Sequence, residues 1–175
     1  MGASRRTGLS SATFPIVIIF DCDIENINKE MMIKLVTPIL EGKADFVMAS
    51  LENFGRVTEF LVRPLLSLLV PDLAYLKQPL SGMFAGYLSY LNPEHISPGY
   101  SMGGTLLDVY FKGARIREVD IGVITHRHRS DEAKRNHALT ACKCILYALS
   151  EQGIIKMSPL VKKNFNNRDE KQKKF

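Results

Sequence analysis

A chain of 175 residues with 46% apolar content is long enough for one sizeable core and short for two domains. It contains no apolar run of the roughly 18 residues that a membrane-spanning helix needs, no apolar secretory block near its start, and only Cys22, Cys142 and Cys144 without Cys-x-x-Cys spacing, so a reducing, cytoplasmic setting is expected and neither a disulfide framework nor a zinc site is indicated. Of the net charge of +5, residues 162–175 supply +4 (six Lys or Arg against Asp169 and Glu170) and Arg5 with Arg6 another +2, which leaves the stretch between slightly acidic and argues against a nucleic-acid surface on a folded face.

Residues 1–14 read as a disordered tail, 15–157 as a single α/β domain and 158–175 as a basic tail. Ile16 to Phe20 is an unbroken apolar run, the pattern of a strand buried on both faces. It empties into Asp21-Cys22-Asp23, and strand alternation points the two carboxylates to one side. Asn28 caps a helix to about Leu40 with Met31, Met32, Leu35 and Ile39 on its apolar side. Ala44–Ala49 is a second strand. A helical stretch opens at Gly55, with Phe60, Leu61, Leu65 and Leu68 at helical spacing and Pro64 imposing a kink or break. The turn Gln78-Pro79-Leu80-Ser81-Gly82 is followed by a short helix toward Leu91. After a loop at 93–99, a helix covers Leu106–Phe111 and a strand Ile116–Val123. The last helix is capped by Ser130, favoured by Asp131 and Glu132 at its positive end, striped by Leu139, Cys142, Ile145, Leu146 and Leu149, and ended by Gly153. Strands alternating with helices predict a mostly parallel sheet, thin because only three strands are visible.

Four pieces carry candidate chemistry. Asp21 and Asp23 read either as a site for Mg²⁺ or Mn²⁺ with a diphosphate or as a solvated strand end. His126 also follows a strand, so it could join them at one sheet edge, with Arg127 and Arg129 offering bidentate contacts to phosphate; the plainer reading is a basic exposed loop. Gly55, Arg56 and Thr58 open a helix and suit either ordinary helix initiation or a pocket for a phosphate or carboxylate. Leu80, Ser81 and Gly82 form a rigid turn with no titratable group.

As an ordered set these pieces resemble the glucosyl-3-phosphoglycerate synthases and their mannosyl relatives, retaining glycosyltransferases of the GT-A fold. The resembling stretches are Phe20-Asp21-Cys22-Asp23-Ile24 with Asn26, Gly55-Arg56-Val57-Thr58-Glu59 continuing through Val62-Arg63-Pro64-Leu65-Leu66, Gln78-Pro79-Leu80-Ser81-Gly82, Pro98-Gly99-Tyr100, and Gly122-Val123 followed by His126-Arg127. The resemblance covers residues 15–150. It implies a partial GT-A (Rossmann-like) fold, a thin mixed sheet with flanking helices, and transfer of a hexose from UDP-glucose or GDP-mannose to 3-phosphoglycerate. It makes Asp23 the direct metal ligand beside Asp21, His126 its partner, Gly55, Arg56 and Thr58 the acceptor segment, and Leu80–Gly82 the lining of the donor sugar.

Three departures stand out. Met83 replaces the family's Glu after Gly82, Gly103 stands where an acid contacts the donor sugar, and His128 replaces an Asn. The nucleotide base is bound in such enzymes by elements that precede Asp-x-Asp, and only twenty residues precede Asp21 here. The resemblance is therefore to the C-terminal half. The alternative is a non-catalytic remnant, folding as a homodimer or with a partner that supplies the missing half. A metal-dependent phosphohydrolase built on Asp21, Asp23 and His126 ranks last, since no nucleophile or base accompanies them.

Overall fold

The computed structural model describes residues 2–52, 55–91, 93, 101–125 and 130–161. In chain order its elements are α1 (Gly2–Ser10), β1 (Ile16–Ile19), α2 (Lys29–Leu40), β2 (Phe46–Ser50), α3 (Arg63–Leu69), β3 (Phe84–Tyr87), α4 (Met102–Phe111), β4 (Ile116–Asp120) and α5 (Asp131–Glu151). The strands form one sheet in the order β1-β3-β2-β4. β3 pairs antiparallel with both β1 and β2, with Ile16 opposite Tyr87 and Phe46 opposite Gly86, while β2 and β4 pair in parallel from Phe46–Ile116 to Ser50–Asp120.

β2 is buried along its whole length, so its alternate side chains build two cores. Phe46 and Met48, with Phe84 of β3, pack under Leu66, Leu106, Leu107, Ile145 and Leu149 of α3, α4 and α5. Val47, Ala49 and Ala85 face Met31, Leu35 and Ile39 of α2. Each large side chain buried in this way contributes about 1.5–3 kcal/mol. The helix ends follow the chain's own signals: Asn28 accepts a hydrogen bond from the Met31 amide and Ser130 one from the Ala133 amide.

The sheet is thin and mixed as expected, and β1, β2 and β4 run the same way. The reversed strand β3 is a departure, because Phe84–Tyr87 was expected to begin a short helix. Its Phe-Ala-Gly-Tyr sequence shows no alternation, and pairing on both edges decides its state. With β3 between β1 and β2, only one of the three pairings is parallel. β1 was expected to be buried on both faces, yet it is an edge strand with Ile18 partly exposed.

Two further expectations change. The segment 1–14, read as a disordered tail, contains α1, whose Leu9 is 3% exposed and belongs to the larger core; one buried leucine fixes a helix that its polar composition does not announce. Around Pro64 the helical run continues without a break. A widened π-type turn over Thr58–Val62 leads into α3, with the Arg63 amide donating to the Thr58 carbonyl. Proline cannot make the ordinary helical bond at that point, and the wider turn accommodates it. The face turned inward is consequently Thr58, Val62, Leu66 and Val70, whereas Phe60 (78%) and Leu68 (76%) of the expected stripe are exposed.

Candidate functional site

Because β1, β2 and β4 are co-directional and β3 opposes them, the residues after β1, β2 and β4 and those before β3 meet at one sheet edge. That edge is where open α/β sheets present ligand groups. The acidic pair lies just beyond β1 on a turn, closed by the Ile24 amide on the Asp21 carbonyl at 3.3 Å. Asp21 and Asp23 are thus placed by a turn and not by strand alternation. The segment that follows is tied to the chain leaving β4: the Glu25 amide donates to the Thr125 carbonyl (2.9 Å), the Asn26 amide nitrogen Nδ2 donates to the Val123 carbonyl (2.9 Å), and Asn26 Oδ1 accepts from the Thr125 amide (2.8 Å). One asparagine side chain therefore clamps two loops.

The loop before β3 is held as firmly. Gln78 and Lys77 donate their amides to the Glu118 carboxylate of β4 at 2.7 and 3.0 Å, and Gln78 Oε1 accepts from the Leu51 amide at 3.1 Å, just past β2. Ser81 is buried and its hydroxyl donates to the Met83 carbonyl at 3.2 Å, so it shapes the turn. Gly82 lies directly against Asp21: a Cβ there would sit 2.0 Å from Asp21 Oδ2. The structure thus brings the acidic turn and the Leu80–Gly82 loop into contact, although the chain separates them.

Asp21 has a cationic partner. Arg5 of α1 donates from Nη2 to Asp21 Oδ1 and, at 3.3 Å, to the Gly82 carbonyl. The two side chains are 16% and 19% exposed, so the pair is shielded more than a surface bridge. No signal in the sequence marked Arg5, since it lies in a segment of weak helical pattern and acts on a residue far along the chain. Asp21 and Asp23 are hard oxygen donors, and the turn already attracts a positive charge, so its chemistry fits a divalent cation. Among the described residues, however, no group of three His, Cys, Asp or Glu converges to complete such a site. His126, Arg127, His128 and Arg129, like Pro98-Gly99-Tyr100 and the tail 162–175, lie outside the described residues.

Gly55 and Arg56 are exposed and Thr58 is buried at the start of the widened turn. Arg56 lies near the head of α5: the Asp131 carboxyl is held below its ordinary range first by a hydrogen bond and charge from Lys134, and additionally by the charge of Arg56. Thr125 and Ser130, the described residues that flank 126–129, are thus adjacent to Asn26 on one side and to the head of α5 on the other. Gly103, where the resemblance leads one to expect an acid, is packed inside: a Cβ there would meet Ile145 Cγ1 at 2.8 Å and Leu80 Cδ2 at 3.4 Å. A groove of about 630 Å³ runs along β4 past Lys43, Tyr75, Lys77 and Arg117, and contains none of the expected site residues. Cys22, Cys142 and Cys144 form no disulfide, and among the described residues no helix is long and apolar enough to cross a membrane.

No family model matches the chain. It is similar to glucosyl-3-phosphoglycerate synthase of Mycobacterium tuberculosis, with 31% identity over 147 residues, 73% of this chain and 45% of that protein. The enzyme of the same name from Petrotoga mobilis is 30% identical over 154 residues, 79% of this chain and 47% of that one. In three dimensions the chain matches the Mycobacterium tuberculosis synthase in complex with Mn²⁺, UDP-glucose and phosphoglyceric acid at a TM-score of 0.75 and 26% identity, covering 86% of this chain and 55% of that one. The same synthase with Mg²⁺ and UDP matches at a TM-score of 0.73 and 27% identity, covering 85% and 54%. The chain spans about half the length of the curated relatives it matches.

Proposed function

This chain is a homologue of the glucosyl-3-phosphoglycerate synthases with a partial GT-A glycosyltransferase fold, and from that premise we propose that it carries the metal and acceptor side of a hexosyl-transfer site. The reaction is transfer of a hexose from a nucleotide-diphosphate sugar to a phosphoglycerate-type acceptor, with retention at the anomeric carbon. Asp23, with Asp21 and His126, would hold Mg²⁺ or Mn²⁺. Gly55, Arg56 and Thr58 would receive the acceptor anion, Leu80, Ser81 and Gly82 would line the donor sugar, and Arg127 and Arg129 would contact phosphate oxygens. When bound, the cation neutralises the charge that develops on the diphosphate leaving group. Arg56 orients the acceptor, which supplies proximity and not bond-making chemistry. The setting expected for such chemistry is the cytoplasm.

The observation that carries this reading is the convergence at one sheet edge: the acidic turn touches Gly82, and Asn26 ties it to Thr125, next to His126 in the chain. Relatives solved with Mn²⁺, UDP-glucose and phosphoglyceric acid support the choice of ligands. A second reading, a half-site or remnant that needs a partner for the nucleotide, is favoured by Gly103, whose surroundings leave no space for the family's acid. Calorimetric titration of UDP-glucose and then GDP-mannose with Mn²⁺ separates the two. Saturable binding that Asp23→Ala abolishes and Arg56→Ala preserves supports the enzyme, with 3-phosphoglycerate transfer as the next assay. A folded chain that binds neither donor supports the half-site.

A further inference from the structure

We propose that Arg5 is a resident cation that competes with a divalent metal for the acidic turn and weakens metal binding there. The inference rests on the metal reading above and concerns a residue outside the resembling stretches. The Asp21 carboxylate is enclosed from two directions: Arg5 Nη2 donates to Oδ1, and the Gly82 backbone lies so close that a Cβ there would stand 2.0 Å from Oδ2 and 2.5 Å from Oδ1. The same guanidinium nitrogen also reaches the Gly82 carbonyl at 3.3 Å, so it spans the loop and the turn. A metal ion would need a carboxylate oxygen at about 2.0–2.2 Å, and it would repel a guanidinium seated on the same group. Occupation by one therefore disfavours the other.

The competitor is held at high local concentration. Arg5 sits one helical turn from Leu9, which is buried in the larger core and anchors α1. An intramolecular ligand of this kind raises the apparent dissociation constant of a competing ion by the reciprocal of the fraction of time the site is left free. Metal binding then releases Arg5 from Asp21, leaving its planar fork able to pair with a phosphate or carboxylate oxygen.

The test measures free Mn²⁺ by electron paramagnetic resonance during titration of the full chain and of Arg5→Gln, Arg5→Ala, Arg5→Lys and Asp23→Ala. The proposal expects Arg5→Gln and Arg5→Ala to bind Mn²⁺ about five- to tenfold more tightly than the parent, equivalent to roughly 1–1.4 kcal/mol, and Arg5→Lys to stay within about twofold. It also expects Mn²⁺ to raise the melting temperature more in Arg5→Gln than in the parent. Should Arg5→Ala fail to fold, Arg5→Gln, which keeps hydrogen-bonding capacity without charge, decides alone. Equal or weaker Mn²⁺ affinity in Arg5→Gln, with binding still lost in Asp23→Ala, overturns the role of Arg5 and leaves the metal reading standing. Absence of saturable Mn²⁺ binding in every folded variant overturns the metal reading and this inference with it.

Discussion

At residue 82 a side chain would have to occupy the volume already held by the Asp21 carboxylate. Gly82→Ala is therefore expected to displace that group and to cost about 1–3 kcal/mol, the range for overpacking joined to a broken charged hydrogen bond. Urea denaturation checks this, and in an Asp21→Ala background the same substitution should cost little, because the obstruction is gone. Asp45 offers a separate test. Its carboxylate accepts from Arg115 Nε and Nη2 at 2.9 Å each and from the Arg115 amide at 2.8 Å. The Arg115 side-chain hydrogen bond above all, opposed in part by burial, holds the Asp45 carboxyl below its usual range. A depressed folded-state pKa means that the unfolded chain binds more protons, so this stability is present above the ordinary carboxylate range and is lost as pH falls through the lower folded value. Arg115 is largely exposed, which keeps the magnitude small. Asp45→Asn should destabilise by about 1 kcal/mol at pH 7, with parent and variant drawing together as pH falls through the lowered folded-state range in urea midpoints measured across pH.

Among the elements, the packing of α4 on α5 explains a departure visible in the sequence. Gly103 lets α4 approach Ile145 so closely that a methyl group at 103 would contact Cγ1 at 2.8 Å. An acid at 103 would bury a charge against isoleucine and leucine, a penalty of several kcal/mol. Gly103→Ala should lower stability by about 1–3 kcal/mol, and it should cost less in an Ile145→Ala background, where the obstructing γ carbon is gone. Additive effects in the double-mutant cycle would rule this packing argument out. The widened turn before α3 shows the same dependence of an element on its context. Helical spacing in Phe60, Leu61, Leu65 and Leu68 was plain to read, but the π-type turn shifts the inward face onto Val62, Leu66 and Val70.

Across the whole molecule the two apolar clusters share the same four strands, because adjacent residues of β2 point into opposite cores. Neither can melt while the sheet holds the other. Leu35→Ala in one cluster and Leu107→Ala in the other should each cost about 2–5 kcal/mol. Both should shift one common transition, with circular dichroism and tyrosine fluorescence coincident. Two resolved transitions would mean that the cores fold separately. The convergence of the acidic turn, the Gln78–Gly82 loop and the Thr125 segment is also a property of this scale, since strand order and direction alone bring them to one edge.

What the sequence determined by itself is what neighbours along the chain decide. Asn28 and Ser130 cap their helices because a short polar side chain reaches an amide three residues on. The Asp-x-Asp turn follows β1 because an apolar run must end where its polar successors meet water. The order of the resembling stretches likewise belongs to the chain. Only the tertiary structure decided that Phe84–Tyr87 is a strand, that β1 is an edge, that α1 forms, and that Arg5 reaches Asp21. Each of these depends on contacts between residues far apart in sequence, whose free energy comes from burial and pairing that exist only once the sheet and its helices have assembled.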